Sequence, residues 1–414
     1  MTVESNYTAA ELRLARDGGT PARSRPEAPM FPGGMEVGDE ELEALARVVR
    51  SKNLFRYYGV GDGPREVDAF EREFADHLGA RHALCVNAGS AALICGLIGA
   101  GVGPGDEVIV PAYTWNATPN AVLATGAMPV LADVDESLTL DPADVVRRLS
   151  PRTKAILPVH MRGAPADLRA LTALAREHGL VLVEDACQAV GASFGGRRLG
   201  TFGDAGGFSL QFNKIITTGE GGVLVTDRDD LYDLAIDVHD CAGRARRGEG
   251  VPRFPGWNFR ASELQAAVGR VQLRRLDGLL ERMRANHARL AEHVATLPGL
   301  TLRRSNDESG DAGVALIAFT ETPALAVDTV DALRAEGVQA MRIYDPDVVD
   351  LHVWVYWQPV LDAIAAAGAP APGCPRTLEL LARTVHVDVA PQLDEQDLEE
   401  IGLALTKVAT QVLA

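Results

Sequence analysis

Leu180-Val181-Leu182-Val183-Glu184-Asp185-Ala186-Cys187-Gln188-Ala189 decides how the rest of this chain is read. It is an apolar strand closing on an acidic pair, and open α/β sheets bind their ligands at the carboxyl ends of their strands. Alternation along a strand sends Glu184 and Asp185 to opposite sides, so only one of them faces a ligand. Asp185 is the candidate, with Gln188 a turn further on; a strand-end acid acting as a helix N-cap is the competing explanation. Comparable strands are expected near residues 83–87, 107–112, 128–134, 155–160, 206–210 and 222–226, alternating with helices. The prediction is a mainly parallel α/β sheet with helices on both faces.

The next stretch outward is Phe208-Ser209-Leu210-Gln211-Phe212-Asn213-Lys214-Ile215-Ile216-Thr217-Thr218-Gly219-Glu220-Gly221-Gly222. Positive charge in this chain is almost all arginine; the other lysines are Lys52, Lys154 and Lys407. A lysine among apolar neighbours loses charge stabilisation, its pKa falls, and its amine becomes a nucleophile toward carbonyls. A buried pair with Glu220 would account for the segment equally well. A lysine and a ring-facing carboxylate are what a pyridoxal phosphate (PLP) site demands, one to bond the aldehyde and one to keep the pyridine nitrogen protonated.

PLP also needs a phosphate cradle and a flat wall. In Cys85-Val86-Asn87-Ala88-Gly89-Ser90-Ala91-Ala92-Leu93 a strand stops, Gly89 permits a tight turn, and Ser90 opens an alanine-rich helix. Free amides and the positive dipole end at such a start suit a phosphate dianion, and Ser90 and Ser209 add hydroxyls. Trp115, in Pro111-Ala112-Tyr113-Thr114-Trp115-Asn116-Ala117-Thr118, follows another strand and offers an aromatic wall, although a lone tryptophan is more often core.

These segments, with Pro158-Val159-His160 and Asn258-Phe259-Arg260-Ala261-Ser262-Glu263-Leu264-Gln265-Ala266-Ala267, occur in the order of the sugar aminotransferase family (DegT/DnrJ/StrS), which the chain resembles from about Phe31 onward. The resemblance implies a fold-type I PLP enzyme that moves an amino group from glutamate or glutamine to a ketosugar or keto-cyclitol. It implies that Lys214 is the Schiff-base lysine and Asp185 the pyridinium partner. Trp115 would stack on the ring, Gln188 would reach its phenolic oxygen, and Ser90, the Ala91 amide and Ser209 would hold the phosphate. Asn258 would reach the phosphate in a neighbouring subunit, so a homodimer with shared sites is implied. Relatives with histidine at the lysine position dehydrate deoxysugars, and Lys214 argues against that branch. A PLP-dependent lyase or dehydratase on the same scaffold is the alternative; a binding homologue without chemistry would lack the lysine or the aspartate.

Composition agrees with a large soluble enzyme. The chain has 414 residues, 47% of them hydrophobic, and a net charge of −17, which disfavours nucleic acid and anionic membranes. The cysteines are odd in number and scattered, as in a reduced, cytoplasmic protein, and nothing suggests a metal site. No apolar run approaches bilayer length. Residues 1–29, rich in Arg, Pro, Gly and Ala, read as a flexible tail; residues 30–285 read as the cofactor-binding α/β domain and 286–414 as a smaller α+β domain.

Substrate contacts are sought in four residues. His160 ends a strand on the same sheet edge as Asp185, though such a histidine is as often structural. Arg260 suits a donor carboxylate, or else pairs with a nearby acid. Tyr344 and His352 belong to an aromatic, polar stretch from Met341 to Gln358, which either lines the acceptor site or packs between domains. The stretches around Asn53–Gly59 and His239–Gly243 look closer to relatives acting on free or carboxylated sugars and cyclitols than to those acting on nucleotide sugars.

Overall fold

A computed structural model describes residues 7–61, 63, 65–369 and 372–414. Along the chain run strands β1 (His82–Val86), β2 (Glu107–Pro111), β3 (Met128–Ala132), β4 (Thr153–Ile156), β5 (Val181–Asp185), the short pair β6 (Ser193–Phe194) and β7 (Arg197–Arg198), β8 (Ala205–Ser209) and β9 (Gly222–Thr226). All except β6 and β7 form one seven-stranded sheet in the order β1-β9-β8-β5-β4-β2-β3, and β9 alone runs against the others. These are the seven strands expected from sequence. Helices α1 (Asp39–Ser51), α2 (Glu66–Leu78), α3 (Gly89–Gly99), α4 (Ala117–Ala124), α5 (Pro142–Arg148), α6 (Leu168–His178), α7 (Asp229–His239) and α8 (Gly243–Arg246) lie between or before them. Both sheet faces are covered: Leu182 and Val183, neighbours on β5, enter different apolar clusters.

The long helix α9 (Glu263–Val294) follows, its start fixed by Ser262 and Gln265, whose side chains cap each other's backbone amides. It runs straight through residue 285, where the sequence reading placed a boundary. Beyond it, β10 (Thr301–Leu302), β11 (Ala315–Phe319), β12 (Ala340–Met341) and β13 (Thr384–Asp388) form an antiparallel sheet ordered β10-β11-β13-β12. Helices α10 (Pro323–Ala335) and α13 (Glu395–Val412) cover it through Val330, Leu333, Ile401 and Leu405. Between them, α11 (Gln358–Ala366) and α12 (Pro375–Ala382) depart from that layer: Trp357, Val360, Ile364 and Cys374 join the core of the main sheet.

The described part of the expected tail is not free. Leu12 and Leu14 are buried, and Arg23, 3% exposed, meets Asp397 at 2.9 Å. Glu336, fully buried, accepts the amides of Ala15 (2.6 Å) and Ala22 (2.8 Å) and pairs with the buried Lys407, which also donates to the Thr20 carbonyl at 2.7 Å. Residues 7–29 are thereby fastened to α10 and α13, which corrects the composition-based expectation. Among the described residues no helix is long and apolar enough to cross a membrane, and the five cysteines are free thiols.

Candidate active site

Asp185 closes β5 with its side chain on the side opposite to that of Glu184. Its carboxylate accepts the Thr118 hydroxyl at 2.7 Å and the Cys187 amide at 3.1 Å. Thr118 stands in the first turn of α4 and meets the Thr114 hydroxyl at 2.8 Å. Glu184 is buried on the other face, where it accepts the amides of Gly200 (2.8 Å), Phe202 (2.6 Å) and Gly203 (2.9 Å). It also meets His160 Nε2 at 3.1 Å. Because His160 Nδ1 accepts the Ala166 amide at 3.1 Å, the ring proton sits on Nε2 and is donated to Glu184. His160, fully buried, braces the loop after β4 and does not line the cleft.

Lys214 lies in the loop joining β8 to β9 and projects into a cleft of about 560 Å³ that it shares with Arg162, Cys187, Gln188 and His352. No ion pair joins it to Glu220, which is exposed, and among the described residues its amine has no acceptor. Gln188 accepts the Arg162 amide at 3.1 Å, which fixes its amide group. The far wall is made by residues 27–32, from the segment read as a tail and the turn after it.

Next to the cleft, α3 begins at Gly89 with no side chain capping its first turn. A Cβ on Gly89 would lie 2.8 Å from Ser209 Cβ and 2.9 Å from Cys187 Sγ, so only glycine lets the helix start approach Ser209 and the residues after Asp185 so closely. Ser90 and Ala91 occupy that uncapped turn. An unpaired amine, an oriented carboxylate and an open helix start with two hydroxyls suit an aldehyde, a pyridine nitrogen and a phosphate dianion, so the donor set fits PLP.

The DegT/DnrJ/EryC1/StrS aminotransferase family model matches residues 36–406. The chain belongs to that family. The family's aminotransferases are PLP-dependent enzymes of fold type I, and this aminotransferase shares their architecture. It is 36% identical, over 96% of both chains, to the L-glutamine:2-deoxy-scyllo-inosose aminotransferase of Streptomyces kanamyceticus. Identity to the spore coat polysaccharide biosynthesis protein SpsC of Bacillus subtilis is 32%, covering 88% of this chain and 93% of that one. Among solved structures, 3-amino-5-hydroxybenzoic acid (AHBA) synthase superposes with a TM-score of 0.79 at 31% identity, covering 94% of this chain and all of that one.

Around the cleft of this aminotransferase, Trp115 is 44% exposed and its ring centroid lies 4.9 Å from that of His352. The two are tied by backbone: the Thr114 amide donates to the His352 carbonyl (2.9 Å) and the Asn116 amide to that of Leu351 (3.1 Å). His352 Nδ1 meets Asp350 at 2.7 Å. Burial holds the His352 pKa below the usual imidazole value despite Asp350, and the charges of Arg162 and Lys214 push the same way. The Tyr344 ring lies tilted against that of Tyr356, centroids 6.4 Å apart, and does not line the cleft. Arg260 Nη1 donates to Asp240 at 2.7 Å beneath the ring of Phe55, so its charge is already engaged. Asn258 is exposed beside β1, where its carbonyl accepts the Asn87 side-chain amide at 3.3 Å.

Sequence reasoning assigned no role to Thr118 or Arg162. The hydroxyl pair Thr114 and Thr118, one helical turn apart, was a readable signal for the first. Nothing local marked Arg162.

Proposed function

We propose that this aminotransferase carries the amino group of glutamine or glutamate to the ketone of a free polyhydroxylated ring, a keto-cyclitol or ketosugar, in the biosynthesis of an aminosugar-containing secondary metabolite such as an antibiotic. The observation that carries this reading is the unpaired Lys214 amine in one cleft with Gln188 and His352, beside Asp185, in a chain matching a scyllo-inosose aminotransferase end to end.

When bound, PLP supplies an electron sink that lets an amino acid shed its Cα proton. Lys214 would hold the cofactor between turnovers and, once freed, would move the proton at the donor's Cα. Asp185, oriented by Thr118, would keep the ring nitrogen protonated. Trp115 would cover the ring, Gln188 would contact its phenolic oxygen, and Gly89, Ser90, the Ala91 amide and Ser209 would receive the phosphate. Asn258 would reach the same group in the adjoining subunit of a homodimer. The acceptor is held on the His352 side of the cleft. We further assign residues 30–285 to the cofactor-binding unit and 286–414 to the smaller unit, and place the protein in the cytoplasm.

Absorption spectroscopy tests the reading. Glutamine or glutamate added without acceptor should convert the visible band of the lysine-bound cofactor to the near-ultraviolet band of its amino form, and a keto-cyclitol should restore it. A visible band that neither donor moves would sink the proposal.

A further inference from the structure

Arg162 is the most unusual side chain of the cleft. It sits in the turn after β4 at φ 54°, ψ 38°, a left-handed conformation that non-glycine residues adopt only when their surroundings enforce it. The enforcement is visible. Its amide is held by Gln188, Arg303 binds the Met161 carbonyl at 3.3 Å, and the Ala312 amide binds that of Gly163 at 3.1 Å. The strained backbone therefore aims one guanidinium into the cavity that holds Lys214.

That guanidinium has no carboxylate partner among the described residues. Among the described residues it makes no ion pair, Nε is buried without a partner, and its nearest polar neighbour is the Tyr113 hydroxyl, itself without a geometric hydrogen-bond partner. Arginines with buried side chains behave differently: Arg23 meets Asp397, Arg56 meets Glu71 and Arg303 meets Asp311. Of the acids nearest in charge, Asp350 is engaged by His352, and Asp388, on the wall of the same cleft, forms no ion pair with Arg162. A half-buried guanidinium without a carboxylate partner is costly, and its planar fork matches one ligand class above others, a carboxylate taken by two parallel hydrogen bonds.

We propose that Arg162 is the residue that binds the α-carboxylate of the amino donor, with the Tyr113 hydroxyl as an accessory donor. This rests on the aminotransferase reading above and moves carboxylate recognition from Arg260, whose charge Asp240 occupies, to a residue inside the cleft. Having one anion anchor beside Lys214 selects donors with a carboxylate on the carbon that bears the amine.

The test uses the holoenzyme and three ligands: glutamine; glutaramate, which is glutamine without its amine; and 4-aminobutanamide, which is glutamine without its carboxylate. Arg162→Met should weaken glutaramate, read as a perturbation of the visible band, by about 10- to 100-fold, the range of a charge-assisted hydrogen bond. The half-saturating glutamine concentration should rise by the same factor, while slow conversion by 4-aminobutanamide and the KM of the acceptor stay unchanged. Arg162→Lys, which keeps the charge and loses the fork, should fall between. Because the native site carries an unmatched charge on a strained backbone, the melting temperature of Arg162→Met should hold or rise, whereas a purely structural arginine would lower it. Equal glutaramate affinity in wild type and both variants overturns the proposal, as does a loss confined to the acceptor. Failure of the underlying reading looks different: the wild-type band would ignore glutamine, while glutaramate binding still reported on Arg162.

Discussion

At Thr118 a single hydroxyl orients Asp185, the group proposed to keep the cofactor's ring nitrogen protonated. Its 2.7 Å bond to Asp185 is made to a charged acceptor, and such bonds are worth about 1.5–3 kcal/mol. Thr118→Val keeps the shape and removes the bond, so kcat/KM should fall about 10- to 100-fold in steady-state assays, with melting temperature little changed. An unaltered kcat/KM would mean that the Cys187 amide alone orients Asp185. Lys214 and Asp185 stood out as candidates in sequence because each breaks its background, one as a rare lysine in an apolar run and the other as an acid ending an apolar strand. Thr118 and Arg162 did not, since their significance lies in what they touch across the fold. His160 shows the same limit from the other side: its partner Glu184 is on the adjacent strand β5, and only the pairing of β4 with β5 reveals that it faces away from the cleft.

Elements set the tolerances around those residues. The start of α3 approaches Ser209 and Cys187 so closely that a methyl group at Gly89 would overlap both. Gly89→Ala should destabilise the fold by about 1–3 kcal/mol as an overpacking change. It should weaken PLP more than it lowers stability, measured by cofactor titration beside thermal melts, because the displaced pieces are those proposed to receive the phosphate. At the end of α7 the pH dependence has a definite sign. His239 donates from Nδ1 to the Ile236 carbonyl (2.6 Å) and accepts the Tyr57 hydroxyl at Nε2 (3.1 Å). Burial first, then the charge of Arg56, pushes its pKa down to about 3. The unfolded chain takes up a proton near pH 6.5 that the native state refuses, so stability is lost as pH falls from 6.5 toward 3, by up to about 1.4 kcal/mol per unit. His239→Gln should flatten that part of the profile, so the melting-temperature gap between wild type and variant should shift in the variant's favour between pH 7 and pH 5. At this scale the strands of the main sheet were legible because each is an apolar run between turn residues. The two-residue strands β10 and β12 were not, because nothing so short carries a periodic signal.

For the whole molecule, the sequence reading was weakest where contacts span the greatest separations. Residues 7–29 lack periodicity, and what orders them is Glu336, Asp397 and Lys407, more than three hundred positions away. The consequence reaches the site, because the segment leads directly into the cleft wall at 27–32. A second long-range question is whether one chain completes its own site. Asn258 projects from the surface beside β1, near exposed Trp257, Leu54 and Tyr58, an apolar margin suited to a second subunit. A shared site predicts complementation. Lys214→Ala lacks the amine proposed to bond the cofactor and should be inactive, and Asn258→Ala should hold the phosphate poorly in every site of its own homodimer. In a mixed dimer, however, one site combines an intact Lys214 with an intact Asn258 from the opposite subunit. Denaturing and refolding the two variants together should therefore recover up to roughly a quarter of wild-type turnover, since about half the dimers are mixed and each has one complete site of two. Activity no greater than that of the separately treated parents would place Asn258 outside the partner's site and leave each cleft complete within its own chain.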